Sequence, residues 1–138
     1  MPDLLPDDFG TETVTPPLLI LREQAEHLSK RTGGLVVAKV TTQRDPAASS
    51  PAFIQRFVLE VPSLDDYAFA LFSVNHPVAL YPLDIWSGVS GIPHFREIKD
   101  QEKFEDALRQ LFARPEVRKI VAALKAQAAA AVGTETKP

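Results

Sequence analysis

Histidine and carboxylate side chains are the groups in this chain that could hold a metal ion or transfer protons. The chain has three histidines, His27, His76 and His94, and no cysteine. Metal-dependent hydrolysis would need imidazole and carboxylate groups within coordinating reach, and His76, Asp84 and His94 are the set that a fold could bring together. Their spacing matches no known metal-binding pattern. We therefore predict no metal site and keep a metal-dependent hydrolase only as an alternative function.

Aspartate, glycine and serine residues also occur in this chain, but ordinary structural roles explain their positions. Asp65 and Asp66 lie in a turn-forming segment. Gly33 and Gly34 close a helical pattern before a strand, whereas phosphate-binding loops place glycine between a strand and a helix. The serines lack the Gly-x-Ser-x-Gly elbow that exposes a nucleophile. We predict no catalytic residue and no cofactor, so the sequence favours binding over enzymatic activity.

The formal net charge of −3 is distributed unevenly along the chain. Residues 16–132 contain 13 acidic and 14 basic residues. The first 15 residues contain no basic residue but four acidic ones, Asp3, Asp7, Asp8 and Glu12. A nearly neutral body lacks the basic surface that nucleic-acid binding requires. The absence of cysteine is compatible with a reducing compartment, and no segment reaches the length of a membrane span. We predict a cytoplasmic protein without a nucleic-acid or membrane partner.

Basic side chains recur along one face of the last helical pattern. Arg114, Arg118 and Lys125 share a stripe at helical spacing. Such a stripe could follow a phosphate backbone, but Glu116 lies close by, and a solvated helix surface explains the same pattern. We favour the solvated surface.

The two ends of the chain differ from its middle. Residues 1–15 show neither helical nor strand periodicity and are predicted to form a flexible arm. The arm could still dock through its large apolar residues, which are Leu4, Leu5 and Phe9. Residues 16–132 are predicted to form one domain, and residues 133–138 a disordered tail.

Helical periodicity precedes and follows a central region of alternating residues. The first helix is predicted to begin with Thr15 as N-cap and Pro16 in the first helical position, and to end at Gly33. Asp100 is a suitable N-cap for a second helix, and Pro115 can begin a third.

Four strands are predicted between these helices, at residues 35–42, 53–61, 67–74 and 78–86. Alternation in the third strand would place Tyr67, Phe69 and Leu71 on one face and Phe72 and Val74 on the other. The segment Asn75-His76-Pro77 would form the turn to the fourth strand.

Pro82 decides the predicted position of the fourth strand. Proline has no N–H to donate to a neighbouring strand, so it is expected at the edge of a sheet or at a bulge. Residues 92–99 could form a fifth strand or only a connection, and the sequence leaves both readings open. The predicted fold class is α+β, with four or five antiparallel strands in a meander. An N-terminal helix and two C-terminal helices would cover one face.

Apolar and aromatic side chains cluster around the predicted edge strand. The predicted interaction surface consists of Leu80, Tyr81, Trp86, Val89, Ile92 and Phe95. Exposed edges with such residues tend to bind partners. The leading functional prediction is therefore a non-enzymatic interaction module that pairs with a second copy, as a homodimer, or with another protein. The alternative for this cluster is that the C-terminal helices cover it.

A second functional alternative is a hydrophobic pocket for a small molecule between the sheet and the helices. The chain has eight phenylalanines. The predicted lining consists of Phe57, Phe69, Phe72, Phe104 and Phe112, with Tyr67 or His76 as polar contacts. Ligand pockets are built from such apolar walls with a few polar groups, although a packed core has the same composition.

Overall fold

The chain folds as one five-stranded antiparallel sheet with three helices, seen in a computed structural model that describes residues 1–50 and 52–135, the last two by their backbone alone. The elements are α1 (Pro17–Arg31), β1 (Val37–Arg44), β2 (Ala52–Val61), β3 (Tyr67–Pro77), β4 (Leu83–Trp86), β5 (Phe95–Ile98), α2 (Gln101–Ala113) and α3 (Pro115–Glu135). The strands are ordered β1-β2-β3-β4-β5 in space as in sequence. The predicted α+β class and antiparallel meander are confirmed, and residues 92–99 contain the fifth strand.

Helix α1 begins one residue later than predicted. Pro16, not Thr15, is the N-cap residue, and it has an extended backbone (φ −70°, ψ 151°). Because Pro17 follows it, Pro16 is kept out of the helical region, so the helix starts at Pro17. Ile20 and Ala25 are among the residues that bury the inner face of α1, which packs mainly on β1.

A bulge in β3 changes the predicted division of its side chains between the two faces. Phe72 pairs with Phe57 and Ala70 with Val58, so Leu71 is an extra residue without a partner. An extra residue shifts the alternation by one, and Leu71 and Phe72 are therefore both buried on the same face. The predicted assignment of these two residues to opposite faces is wrong.

The predicted turn at residues 75–77 is also wrong, because these residues belong to β3. Pro77, the last residue of the strand, stands opposite Ala52 at the start of β2. Residues 78–82 therefore make the connection, and β4 begins only at Leu83.

Strand β4 lies inside the sheet, between β3 and β5, so its predicted edge position is wrong. Pro82 precedes the strand and removes no hydrogen bond from it. On the β5 side, Asp84 Oδ1 accepts a hydrogen bond from Glu97 N at 2.9 Å. The edges of the sheet are β1 and β5.

The helices and the buried face of the sheet enclose a core centred on three aromatic rings. Phe57 and Phe72 stack with their centroids 4.9 Å apart, and Phe112 of α2 meets both rings edge-on at 5.6 and 5.8 Å. Helix α3 closes one end of this layer, where the Ser63 hydroxyl donates to the Ala128 carbonyl oxygen at 3.0 Å. Within the described residues, no helix combines the length and apolar character needed to span a membrane.

The ends of the chain lie outside this layered arrangement. Residues 1–15 form no helix or strand and are all exposed. At the other end α3 continues to Glu135, so the predicted tail begins within this helix, and residues 136–138 lie outside the described part of the chain.

Arg114 ties the loop after β4 to the junction of α2 and α3. Its Nη2 donates to the Gly91 carbonyl oxygen at 2.9 Å and to Glu116 Oε2 at 3.1 Å. The hydrogen bond from Arg114 lowers the pKa of Glu116. Gly91 has a φ of +92°, and a Cβ atom there would lie 2.6 Å from Glu116 Oε2. A side chain at residue 91 would therefore have to adopt an unfavourable φ and move the Glu116 carboxylate.

We predict that Gly91→Ala lowers the free energy of unfolding by about 1–3 kcal/mol, because it combines an unfavourable backbone angle with displacement of Glu116. Gly88→Ala is the matched control, since a Cβ at Gly88 would meet only Trp86 Cη2, at an ordinary 3.7 Å. Urea denaturation of both variants measures the difference. Equal stability of the two variants would contradict the prediction.

Candidate functional site

The three residues of the alternative metal site lie on different faces of the sheet. His76 is 7% exposed and faces the core, whereas Asp84 and His94 border a concavity on the uncovered face. Among the described residues, no three His, Asp or Glu side chains are close enough to hold a metal ion. The structure therefore does not bring these predicted ligands together, because the bulge at Leu71 places His76 among the core residues of β3.

His76 is instead part of a buried chain of hydrogen bonds. Thr42 Oγ1 donates to Gln55 Oε1 at 2.6 Å, and Gln55 Nε2 contacts His76 Nε2 at 3.1 Å. The His76 Nδ1 atom lies 2.9 Å from the Pro77 carbonyl oxygen. All these contacts are satisfied when Nδ1 carries the proton and Nε2 accepts from Gln55. His76 therefore joins β2 and β3 in a structural role.

The predicted pocket between sheet and helices is occupied by packed aromatic rings. Phe57 and Phe104 are 0% exposed, and Phe57 contacts the rings of Phe72 and Phe112. Phe69 is half-buried, and Tyr67 is 48% exposed at the start of β3. The predicted lining residues thus form the core and its margin, which leaves no reason to place a ligand there.

The predicted interaction surface is divided between the core and the solvent. Trp86 is 56% exposed on the uncovered face of the sheet. The half-buried members are Leu80, Tyr81, Val89, Ile92 and Phe95, and all of these except Leu80 pack against the core. Burial raises the pKa of Tyr81, with a smaller effect from nearby Glu105 and Asp100. Five of the six residues are thus partly buried, and Trp86 alone is mostly exposed.

The uncovered face of the sheet carries a shallow concavity of about 360 Å³. Its lining mixes chemical types, and includes Ile54, Arg56, Asn75, Asp84, Trp86 and His94. Cationic and anionic side chains occur together, and Asp84 already accepts the hydrogen bond from Glu97 N. This concavity therefore shows no preference for one class of ligand.

A larger groove of about 560 Å³ lies between α1 and α3. Its apolar lining is formed by Leu28, Phe112, Val117 and Val121. Phe112 rests on the stacked rings of Phe57 and Phe72, so this part of the groove belongs to the rigid core. We call this concavity the helix groove.

The rim of the helix groove is basic. His27 and Arg31 of α1 line it together with Arg118 and Lys125 of α3, and no acidic residue does. Among the described residues, Arg31, Arg118 and Lys125 form no salt bridge. The neighbouring Lys30, by contrast, pairs with Glu26 at 3.0 Å. Three permanent cations thus remain available to an anionic ligand.

The lining of the helix groove contains few of the groups that catalysis uses. Its lining contains no carboxylate or cysteine, and its one hydroxyl, of Thr32, already bonds to the Val36 carbonyl oxygen at 2.8 Å. His27 has no acidic or nucleophilic partner in the groove. An apolar floor beside cationic groups can bind an anionic, partly apolar ligand.

The sequence pattern indicated part of this groove, namely the basic stripe on α3. It grouped Arg114, Arg118 and Lys125 on one stripe and favoured a solvated surface, yet Arg114 is held by Glu116 and Gly91. The contribution of α1 was missed, because only the tertiary fold places Arg31 of α1 across the same groove from α3. A local excess of cations at the end of α1 was the available signal.

No family model, curated protein or solved structure matches this chain. Functional inference therefore depends on the side chains that the fold brings together. The helix groove is the candidate functional site, since it joins an apolar floor to charge of a single sign.

We predict that Gln55→Leu lowers the free energy of unfolding by about 1–3 kcal/mol, because it leaves the buried Nε2 of His76 without a partner. Adding His76→Phe should recover part of this loss, since both polar partners are then replaced by apolar groups. Chemical denaturation of the two single variants and the double variant provides the test. Additive losses would argue against a structural pairing of Gln55 with His76.

Proposed function

We propose that this protein is a non-enzymatic interaction module that binds an acidic, apolar peptide segment in the helix groove. The observation that supports the proposal is the combination of an apolar floor with Arg31, Arg118 and Lys125, which line the groove without a single acidic neighbour in it. The predicted function as an interaction module is thus retained, with the site moved from β4 to the helices. The predicted cytoplasmic location is part of the same proposal.

The apolar floor would supply most of the affinity. Leu28 and Val121 are half-buried, and both pack against the core from the groove side. Covering apolar surface contributes about 25 cal/mol per Å², so one inserted leucine or phenylalanine side chain contributes roughly 1.5–3 kcal/mol. Two such anchors are needed to offset the loss of freedom on binding.

The cationic rim would select the charge of the ligand. Exposed ion pairs contribute only about 0.2–1 kcal/mol each, and salt screens them. Three unpaired cations on one rim therefore add modest affinity, but they disfavour basic ligands and accelerate the approach of acidic ones. The expected ligand has acidic and large apolar side chains close together.

A peptide fits the groove better than a compact small molecule does. The cations belong to two different helices and are exposed, and they do not converge on one enclosed point. Small-ligand sites instead enclose their ligand and direct a few polar groups at it. A segment of chain can place successive acidic and apolar residues along both helices.

We predict that a short fluorescein-labelled peptide of Leu, Phe, Asp and Glu binds the full chain, and that its Lys-for-acid counterpart does not. Replacing Arg118 and Lys125 together by Gln should weaken binding roughly three- to thirtyfold, because two ion pairs are lost. Fluorescence anisotropy at low and high salt provides the measurement.

Lys119→Gln is the control, since Lys119 is an exposed cation of α3 outside the groove. It should leave the affinity unchanged. Equal binding of the acidic and basic peptides, or equal loss in the control, would contradict the proposal. Binding of dodecanoate without binding of the peptide would assign the groove to small amphiphiles instead.

A further inference from the structure

The N-terminal arm, residues 1–15, has the composition that the helix groove selects. It carries Asp3, Asp7, Asp8 and Glu12 and no basic side chain. Its large apolar side chains are also uncovered: Leu4 is 88% exposed, Leu5 55% and Phe9 63%. Apolar groups exposed together in this way usually mark a contact surface.

The arm and the groove are complementary in both charge and polarity. The arm offers four carboxylates, whereas the groove offers Arg31, Arg118 and Lys125, and no acidic residue lines it. The arm also has apolar side chains directly beside its acids, as in the run from Asp3 to Phe9. The arm thus supplies negative charge to a groove lined by cations, and both surfaces contribute apolar side chains.

Within one chain the arm does not contact the groove. No residue of the arm lines the groove, and every arm residue is exposed. The arm leaves the fold at the first residue of α1, Pro17, whereas α1 contributes to the groove from Gln24 to Arg31, two to four turns further on. A single copy therefore leaves both complementary surfaces free.

We propose that the arm of one copy binds the helix groove of a second copy, so that two chains exchange arms in a symmetric dimer. This inference rests on the proposed function, because it names the acidic, apolar segment that the groove binds. Fifteen extended residues span up to about 50 Å, which is enough to reach a neighbouring molecule. A reciprocal exchange fills two grooves with two arms and closes the assembly at two copies.

The self-association is tested on the full chain by sedimentation velocity across a range of protein concentrations. The wild-type chain should sediment as a dimer at high concentration. Replacing Leu4, Leu5 and Phe9 by Ser should weaken dimerisation at least about tenfold. These side chains are exposed and outside the core, so the variant is expected to remain folded. Val14→Ser is the control, because Val14 is an exposed arm residue, 70% exposed, that lies beyond the acidic run.

A charge exchange tests the pairing of arm and groove directly. A chain with Asp7→Lys and Asp8→Lys should not dimerise alone, and neither should a chain with Arg118→Glu and Lys125→Glu. Mixing the two should give a heterodimer, since the reversed arm of one meets the reversed groove of the other. Failure of the mixture to associate, while each variant remains folded by circular dichroism, would overturn the proposal.

Peptide binding separates this proposal from the function on which it rests. The Ser-substituted arm variant should bind the labelled acidic peptide more tightly than the wild type, because its groove is no longer occupied. A monomeric wild type that binds the acidic peptide would overturn arm exchange and leave the groove as a site for another protein. A monomer whose groove opens only in the arm variant would show docking within one chain and would also overturn exchange. A groove that binds no acidic peptide in any variant would remove both proposals.

Discussion

The extra residue in β3 is the constraint on which the rest of the structure depends. If β3 alternated regularly without a bulge, Leu71 would share the core face with Phe69, and Phe72 would point away from the helices. With it, Leu71 and Phe72 both enter the core, and Phe72 can stack on Phe57. This stack is the surface that the ring of Phe112 meets edge-on, so the position of α2 follows from one unpaired residue in a strand.

The same shift separates the polar residues that could have formed an active site. It carries His76 to the buried face, where Gln55 occupies its Nε2, and it leaves Asn75 on the uncovered face beside Asp84 and His94. His76 and Gln55 therefore form a buried polar contact between β3 and β2, and Asp84 and His94 remain on the opposite face of the sheet.

Helix periodicity and strand alternation were sufficient to predict the class of fold, the number of helices and the order of the elements. The position of β4 within the sheet could not be predicted from its own sequence. Pro82 restricts hydrogen bonding only in a strand that contains it, and β4 begins one residue later, at Leu83. The bulge was hidden as well, since Leu71 and Phe72 are both apolar and suit either face. The basic stripe on α3 was visible in the sequence. The groove needs two helices, and the position of α1 opposite α3 is a property of the tertiary structure.

A nearly neutral domain can still present strongly selective surfaces, because charges act over distances of about 8–10 Å under physiological salt. Two acidic residues of the C-terminal helices form local ion pairs, Glu116 with Arg114 and Asp106 with Arg109. Each of these ion pairs has no net charge, and neither of the two carboxylates lines the helix groove. The positive charge of Arg31, Arg118 and Lys125 is therefore not neutralised inside the groove. The compensating negative charge is found on the N-terminal arm, which is attached to the fold only at Pro17. Opposite charges on separate segments of one chain attract each other between molecules as well as within one, and the arm exchange that we propose depends on the attraction between molecules.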